Sequence, residues 1–296
     1  MKKSIFHARN RFIFSALIIP VILMLCFIVY PVIELVRLSF TNWNGIDSVQ
    51  QFIGLRNYQA MLFDSPDLWG SLKNNGVYFI IHLLMIPVEI ILAVLLNTKL
   101  CGAKFFKTTI FMPYIINGVA IAYSFSFFYS PVNGGFNELL KGLGLGSFIR
   151  NWLSDPKIVN YSLAAVSIWK YSGYHIVLFL AALQSLPQET MEAAVMDGAN
   201  AIQKFWYILL PGITTVLDFV LFSNVRGALQ VFDIPFVITK GGPGYASSTF
   251  SLYTIDTAFR YKDFGMASTM GIAIMFLIIT ITVLQNRLMK LIRKEG

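Results

Sequence analysis

"EAAVMDGANAIQKFWYILLP" occupies Glu192–Pro211, between two long apolar segments. It carries acids, a Gln, an Asn and a Lys where a membrane-buried chain would stay apolar, and a proline opens the next apolar segment. Local chemistry reads the stretch as two short helices. Leu186–Pro187–Gln188–Glu189 starts the first, since proline suits the first helical position and acids favour the first turn. Glu192, Ala193 and Ala194 continue it with a strong helix former. Asp197–Gly198 interrupts it: glycine takes the left-handed conformation that ends a helix, and aspartate can cap the next one. A second helix runs from Ala199 through "IQKFWYILL", and Pro211, which removes one backbone bond, kinks it near the membrane surface. The expected product is a helix–turn–helix elbow joined rigidly to a transmembrane helix. Taken alone, these residues also fit an ordinary polar connector, because short amphipathic links are common in membrane bundles.

Working outward, the 296 residues are 56% hydrophobic and only 13% charged, with a mean hydropathy of +0.65. Soluble domains average about 45–50% apolar and about 25% charged. The shift implies a polytopic membrane protein in which the lipid bilayer is a partner, read as one transmembrane domain over 1–296. The net charge of +8 belongs to membrane topology. No basic, aromatic-interleaved surface of the kind that binds nucleic acid is visible, so no nucleic acid is expected.

A span needs roughly 20 mostly apolar residues, and six such runs lie near 12–36, 75–97, 108–130, 159–183, 208–236 and 266–288. The expected fold is therefore all-α, with six transmembrane helices and the elbow as a coupling loop over 184–207, between spans four and five. Lys2, Lys3, Arg9 and Arg11 precede the first run. That run exceeds a signal-peptide core and no cleavage site follows, so it is read as retained. Both tails are basic ("MKKSIFHARNR" and "NRLMKLIRKEG"), and such flanks stay cytoplasmic. The cytoplasmic pieces are then 1–11, 98–107, 184–207 and 289–296. Segment 184–207 carries only Lys204, so its place between two spans locates it, not its charge. In the outer loop 38–74, Phe52, Leu55, Tyr58, Met61 and Leu62 form a short amphipathic pattern expected to lie on the bundle or the interface. Cys26 in a span and Cys101 in a short loop have no metal spacing and are read as packing residues.

The spacing Glu192-Ala193-Ala194, three residues, Gly198, nine residues, Ile208, one residue, Leu210-Pro211 resembles the signature loop of ATP-binding-cassette importer permeases at every fixed position. Phe232-Asp233 followed by Thr239-Lys240-Gly241-Gly242-Pro243 is similar to the outer-loop pattern of their carbohydrate-uptake branch, the maltose, glycerol-phosphate and multiple-sugar type. Tyr30-Pro31 with "SFTNWN" and "FIGLRNY", and "FMPYIINGVA" with Gly135 and Asn137, resemble the same branch. Together these cover nearly the whole chain, and six spans resemble its smaller subunits. The resemblance implies a bacterial or archaeal cytoplasmic membrane with both termini cytoplasmic. It implies a second homologous permease subunit, two ATP-binding cassette subunits that each receive one elbow, an extracytoplasmic solute-binding protein, and a sugar or oligosaccharide as substrate. It makes Glu192, Ala193, Ala194 and Gly198 the ATPase-docking residues.

Intramembrane polar residues are costly and mark candidate pathways. Lys170, Tyr171, Tyr174 and His175 share a face of the fourth span at spacings of three and four. The fifth span offers Ser223, Asn224, Arg226, Gly227 and Gln230. Sugars need hydroxyl partners and flat aromatic surfaces, so Tyr171, Tyr174 and Asn224 are the first candidates for the substrate pathway, followed by Lys170 and Arg226. The alternatives are structural: Lys170 bridging Asp218 or Asp233, Arg226 bridging Asp233, and Tyr171 in aromatic packing. His82 and Glu89 share a face of the second span as a proton relay or as interhelical hydrogen bonds.

Catalytic motifs are absent: there is no His-Glu-x-x-His, no Gly-x-Ser-x-Gly, no Cys/His cluster and no phosphate-binding Gly-x-x-x-x-Gly-Lys-Ser/Thr loop. The chain is therefore expected to be no enzyme and to need no cofactor or metal, with ATP hydrolysis left to a partner. The rival is an ion-coupled secondary sugar carrier or a channel. It predicts inverted repeats or helices broken at the midplane in matching halves, and it would not need the elbow.

Overall fold

Apolar runs of this length satisfy their backbone groups internally as helices, the form hydrocarbon demands of a single chain segment. The computed structural model describes the backbone of residues 2–98 and 102–295 and the side chains of 13–98 and 102–290. Cys101 lies outside these residues, and Cys26 is a free, exposed thiol. In chain order, α1 (Lys2–Met24) passes through a π-helical stretch, Leu25–Val29, into α2 (Tyr30–Ser39). Then come α3 (Arg56–Phe63), α4 (Pro66–Leu96), α5 (Ala103–Ile115), α6 (Gly118–Phe128), α7 (Gly135–Gly142), α8 (Val159–Gln184), α9 (Gln188–Met196) and α10 (Ala201–Lys204). A second π stretch, Phe205–Leu209, leads to α11 (Leu210–Gly212), α12 (Thr214–Leu229), α13 (Asp233–Ile238), α14 (Phe250–Ile255) and α15 (Phe264–Glu295). The strand-like pairing among the described residues is one antiparallel bridge, Thr41 to Phe52.

Five stretches are long and apolar enough to cross a membrane: Ile13–Ser39, Pro66–Leu96, Val159–Gln184, Thr214–Ile238 and Phe264–Lys290. The sixth expected span, 108–130, is instead a pair of helices, α5 and α6, bent by 97°. The reason is local. Pro113 withholds one helical N–H inside α5. Ile116 then turns extended (ψ 138°), and the Asn117 side chain caps α6 by accepting the Val119 N–H at 2.9 Å. The second span also starts earlier than the expected 75. Pro66 and Asp67 form a good helix start, and a 31-residue helix of about 46 Å overshoots an apolar layer of about 30 Å.

The chain divides into two compact units. The first is Met1–Ser65 with Thr254–Met275. Its centre is the end of α2, whose carbonyls lose their helical partners. Asn57 Nδ2 donates to the carbonyls of Ser39 (3.0 Å) and Thr41 (2.8 Å), and Thr269 Oγ1 donates to Ser39 O at 3.1 Å. The loop-helix α3 thus turns Asn57 and Met61, four apart, into the unit. Phe52, Leu55 and Leu62, expected on the same apolar face, are exposed. A buried asparagine replaces them because the free carbonyls need a donor more than the helix needs apolar area.

The second unit is Pro66–Tyr253 with Phe276–Gly296. Here α4 and α8 pack along their length. Asn75, Tyr78, His82, Ile86, Glu89 and Ala93, at spacings of three and four, line the buried face of α4. Lipid supplies no hydrophobic drive between helices, so close packing and polar contacts carry the association. Gly173 of α8 shows this: a Cβ there would run into the Ile110 carbonyl of α5. Asn75 Nδ2 donates to Ala228 O (2.6 Å) and Leu229 O (3.2 Å), tying α4 to the frayed end of α12.

Candidate functional site

The elbow forms as two capped helices. At the end of α9, the Ala199 N–H reaches Ala194 O (2.9 Å) and the Gly198 N–H reaches Val195 O (3.1 Å). This is the Schellman arrangement, and it requires the left-handed residue that Gly198 supplies at φ +76°. Asp197 occupies the C-cap position of α9 and so does not cap the next helix. That role falls to Asn200, whose side chain accepts the Gln203 N–H (2.9 Å) while Gln203 Oε1 accepts the Asn200 N–H (2.8 Å), a reciprocal capping box. Glu192 accepts from Gln188 Nε2 at 2.7 Å. Glu192, Ala193 and Gly198 are exposed and Ala194 is half-buried. Around them stand bare apolar side chains: Met196 is 87% exposed, Tyr207 79% and Ile202 70%.

The second leg is fixed to the bundle. Pro211 has no N–H, and the helix before it widens, with the Leu210 N–H bonding to Phe205 O. Leu186 packs over Gly212, where a Cβ would lie 2.5 Å from its methyl carbon. Leu186, Phe205, Leu209 and Leu210 rest on a core that includes Leu96 of α4, Leu183 of α8 and Val220 of α12. The kink expected at Pro211 is therefore spread over the π stretch and the break at Ile213.

Above this core the same unit holds a cavity of about 440 Å³, inside the about 300–1,000 Å³ range of small-molecule sites. Tyr171, Tyr174, Asn224 and Arg226 all line it, as do Ser223, Gly227, Gln230, His82 and His175. Tyr174 stacks on Tyr114 of α5, with centroids 4.5 Å apart and planes 12° apart, and Tyr171 meets Tyr114 edge-on at 6.3 Å. Tyr114 and Asp233 are lining residues not singled out from the sequence for this role. The signal for Tyr114 was its place between Pro113 and Asn117, where a break turns a side chain inward. Arg226 bonds through Nε to Gln230 Oε1 (3.1 Å), not to Asp233. Asn224 is 5% exposed, with a long contact of 3.5 Å from Nδ2 to Phe79 O.

Lys170 stands apart. It does not line the cavity, and its ammonium donates to the Ile116 carbonyl at 2.7 Å. Asp218 accepts from Gln285 Nε2 at 3.2 Å, so the Lys170–Asp218 bridge is not formed. The polar pair of α4 resolves into interhelical bonds: His82 Nε2 with Ser167 Oγ (2.9 Å) and Glu89 Oε2 with His175 Nδ1 (3.1 Å). Chemically, the cavity presents flat aromatic faces, hydroxyls, two amides (Asn224 and Gln230) and one charge of each sign (Arg226 and Asp233). That set suits a polyhydroxylated ligand held by stacking and hydrogen bonds.

The sequence profile of the binding-protein-dependent transport system inner membrane components matches residues 2–294. The chain is 33% identical over 290 residues to the probable ABC transporter permease protein YurN of Bacillus subtilis, covering 97% of this chain and 99% of that one. It is 30% identical over 278 residues to the multiple sugar-binding transport system permease protein MsmF of Streptococcus mutans, covering 93% of each. Its fold superimposes with a TM-score of 0.84 on a chain of a bacterial alginate ABC transporter crystallised with an alginate pentasaccharide-bound periplasmic protein, at 23% identity over 97% of this chain and 96% of the other.

Proposed function

The chain belongs to the binding-protein-dependent transport system inner membrane components, and from that premise we propose that it passes a sugar or oligosaccharide inward as the permease subunit of an ATP-driven importer. It is an integral membrane transport subunit. On this reading all 296 residues act as one transport domain, with both termini and the elbow in the cytoplasm. A second homologous permease subunit stands beside it, two ATP-binding cassette subunits bind beneath, and an extracytoplasmic solute-binding protein delivers the substrate. The family's own description names dependence on a binding protein, and a relative at 30% identity is a multiple-sugar permease.

The observation that carries the reading is the continuity of elbow and cavity. Gly198 forms the exposed tip, and Phe205, Leu209 and Leu210 fasten the second leg to the core of α4, α8 and α12. The same helices line the cavity, α8 with Tyr171 and Tyr174, α12 with Asn224, and α4 with Tyr78 and His82. Force applied at Glu192, Ala193, Ala194 and Gly198 is thereby delivered to the substrate path. Arg226 borders that path, and Lys170 acts behind it.

The test is to purify the chain with its neighbouring gene products and to excise the elbow tip. Expected are bound ATPase with the intact chain, and loss of both ATPase and uptake after excision, with membrane insertion preserved. An ion-coupled carrier would keep moving sugar without the tip, and that result would reject the proposal.

A further inference from the structure

A 97° break inside an apolar span leaves two helix ends at one corner: the C-terminus of α5, whose last carbonyls lack helical partners, and the N-terminus of α6, where Asn117 caps the Val119 N–H and the other first-turn N–H groups lack helical partners. Helix ends carry partial charges, negative at the C-terminus and positive at the N-terminus. Each end here meets a side chain of opposite sign. Lys170 of α8 is 6% exposed and donates to Ile116 O, the carbonyl just past α5, at 2.7 Å. Asp233, in the first turn of α13, lies beside α6: a Cβ built on Gly118 would sit 3.2 Å from its Oδ2 and 3.7 Å from Lys170 Cε. Lys170 and Asp233 flank the same glycine yet form no ion pair within 4.0 Å among the described residues.

We infer that Lys170 and Asp233 are positioning residues, each neutralising one helix end at the corner, and that together they hold the broken span in the bend that presses Tyr114 against Tyr174. The hydrogen-bond partner of Lys170 is a helix-end carbonyl, and its ammonium also lies 5.4 Å from the Tyr171 ring centroid; Asp233 is near but not in ion-pair contact with it. The aromatic wall of the cavity then depends on two charges, one of which, Lys170, does not itself line it. The corner itself follows from the geometry; its effect on substrate rests on the transport reading above.

The experiment separates the two. In the assembled transporter, with Cys26 and Cys101 changed to serine, spin labels at F105C on α5 and F127C on α6 report the corner by distance distribution. The parent and Lys170→Arg should give one narrow distribution. Lys170→Met and Asp233→Asn should each broaden or shift it. The exchange Lys170→Asp with Asp233→Lys should not restore it, because it places like signs at both helix ends. An unchanged distribution in Lys170→Met, or recovery in the exchange, overturns the inference, since a simple ion pair would recover. In uptake assays Lys170→Met should raise half-saturation for substrate about tenfold, equal to about 1.4 kcal/mol, while maximal ATPase activity stays within about twofold of the parent. A moved distribution with unchanged half-saturation would overturn the link to the cavity wall and leave the corner standing. Loss of uptake in the parent itself would instead count against the transport reading.

Discussion

The elbow and the cavity are built in opposite ways. The elbow is a continuous run of sequence whose hydrogen bonds reach at most a few residues: Ala199 to Ala194, Asn200 to Gln203, Gln188 to Glu192. The cavity gathers Tyr78, Tyr114, Tyr174, Asn224 and Asp233 from five helices. Short-range chemistry sets the first, so its shape survives exposure to water with apolar side chains bare. Helix packing sets the second, so each wall is only as well placed as the contact behind it. A surface that must be gripped can be local, whereas a surface that must change shape has to be shared among movable parts.

The comparison can be broken most severely at the tip. Gly198→Pro forces φ near −65° where the turn needs +76°. Uptake should vanish, and ATPase should no longer co-purify, in a protein that still inserts; normal uptake would mean the elbow is not the grip. At the other pole, Gly173→Ala pushes a methyl into the Ile110 carbonyl. Overpacking of this kind costs about 1–3 kcal/mol, so melting of the solubilised protein should drop clearly. Met196→Ala, at an elbow side chain that is 87% exposed, should leave the melting temperature alone. Equal melting of the two variants would erase the distinction between local and shared construction.

A smaller change sharpens the cavity. Tyr174→Ala removes a stacked pair worth about 0.5–1.5 kcal/mol and should alter the ranking of glycans in a competition assay while the complex still assembles; failure to assemble would reassign the residue to packing. The least effect belongs to His82→Ala. Interhelical hydrogen bonds in membranes average about 0.6 kcal/mol with a maximum near about 1.7 kcal/mol, so losing the Ser167 contact should lower stability slightly and leave half-saturation within a few-fold. A large kinetic defect there would point to a proton relay in place of a structural bond.

Legibility followed the same division. Glu192 to Pro211 could be read almost residue by residue, because proline, glycine and capping side chains act within a turn or two. The one misreading, Asp197 for Asn200 as the N-cap, arose because both are good caps and only the Schellman bonds decide which one follows the turn. Five of the six spans overlap the runs that apolar length marked, although the second begins at Pro66 and not near 75. The sixth was read as continuous although Pro113, Asn117 and Gly118 all lie inside it. Hydropathy sums over a break that changes direction without changing composition. A broken helix was also the mark assigned to the rival carrier, but that reading needs matching breaks in two halves, and α5–α6 is the bent pair found among the described spans. Lys170 could not be placed from sequence, since its partner is a backbone carbonyl that becomes available only because that span breaks.

The π stretch at Phe205–Leu209 decides how the second leg of the elbow holds Pro211. A widened turn holds one residue more than an α turn, and the wider ring absorbs it, so the helix on either side keeps nearly the bearing of a regular one. Removing a single residue there would return the turn to α spacing and set the Pro211 ring against the carbonyl four residues before it. On the transport reading, the surplus amino acid is what lets the leg of the handle carry a proline as a spread bend in place of one sharp break.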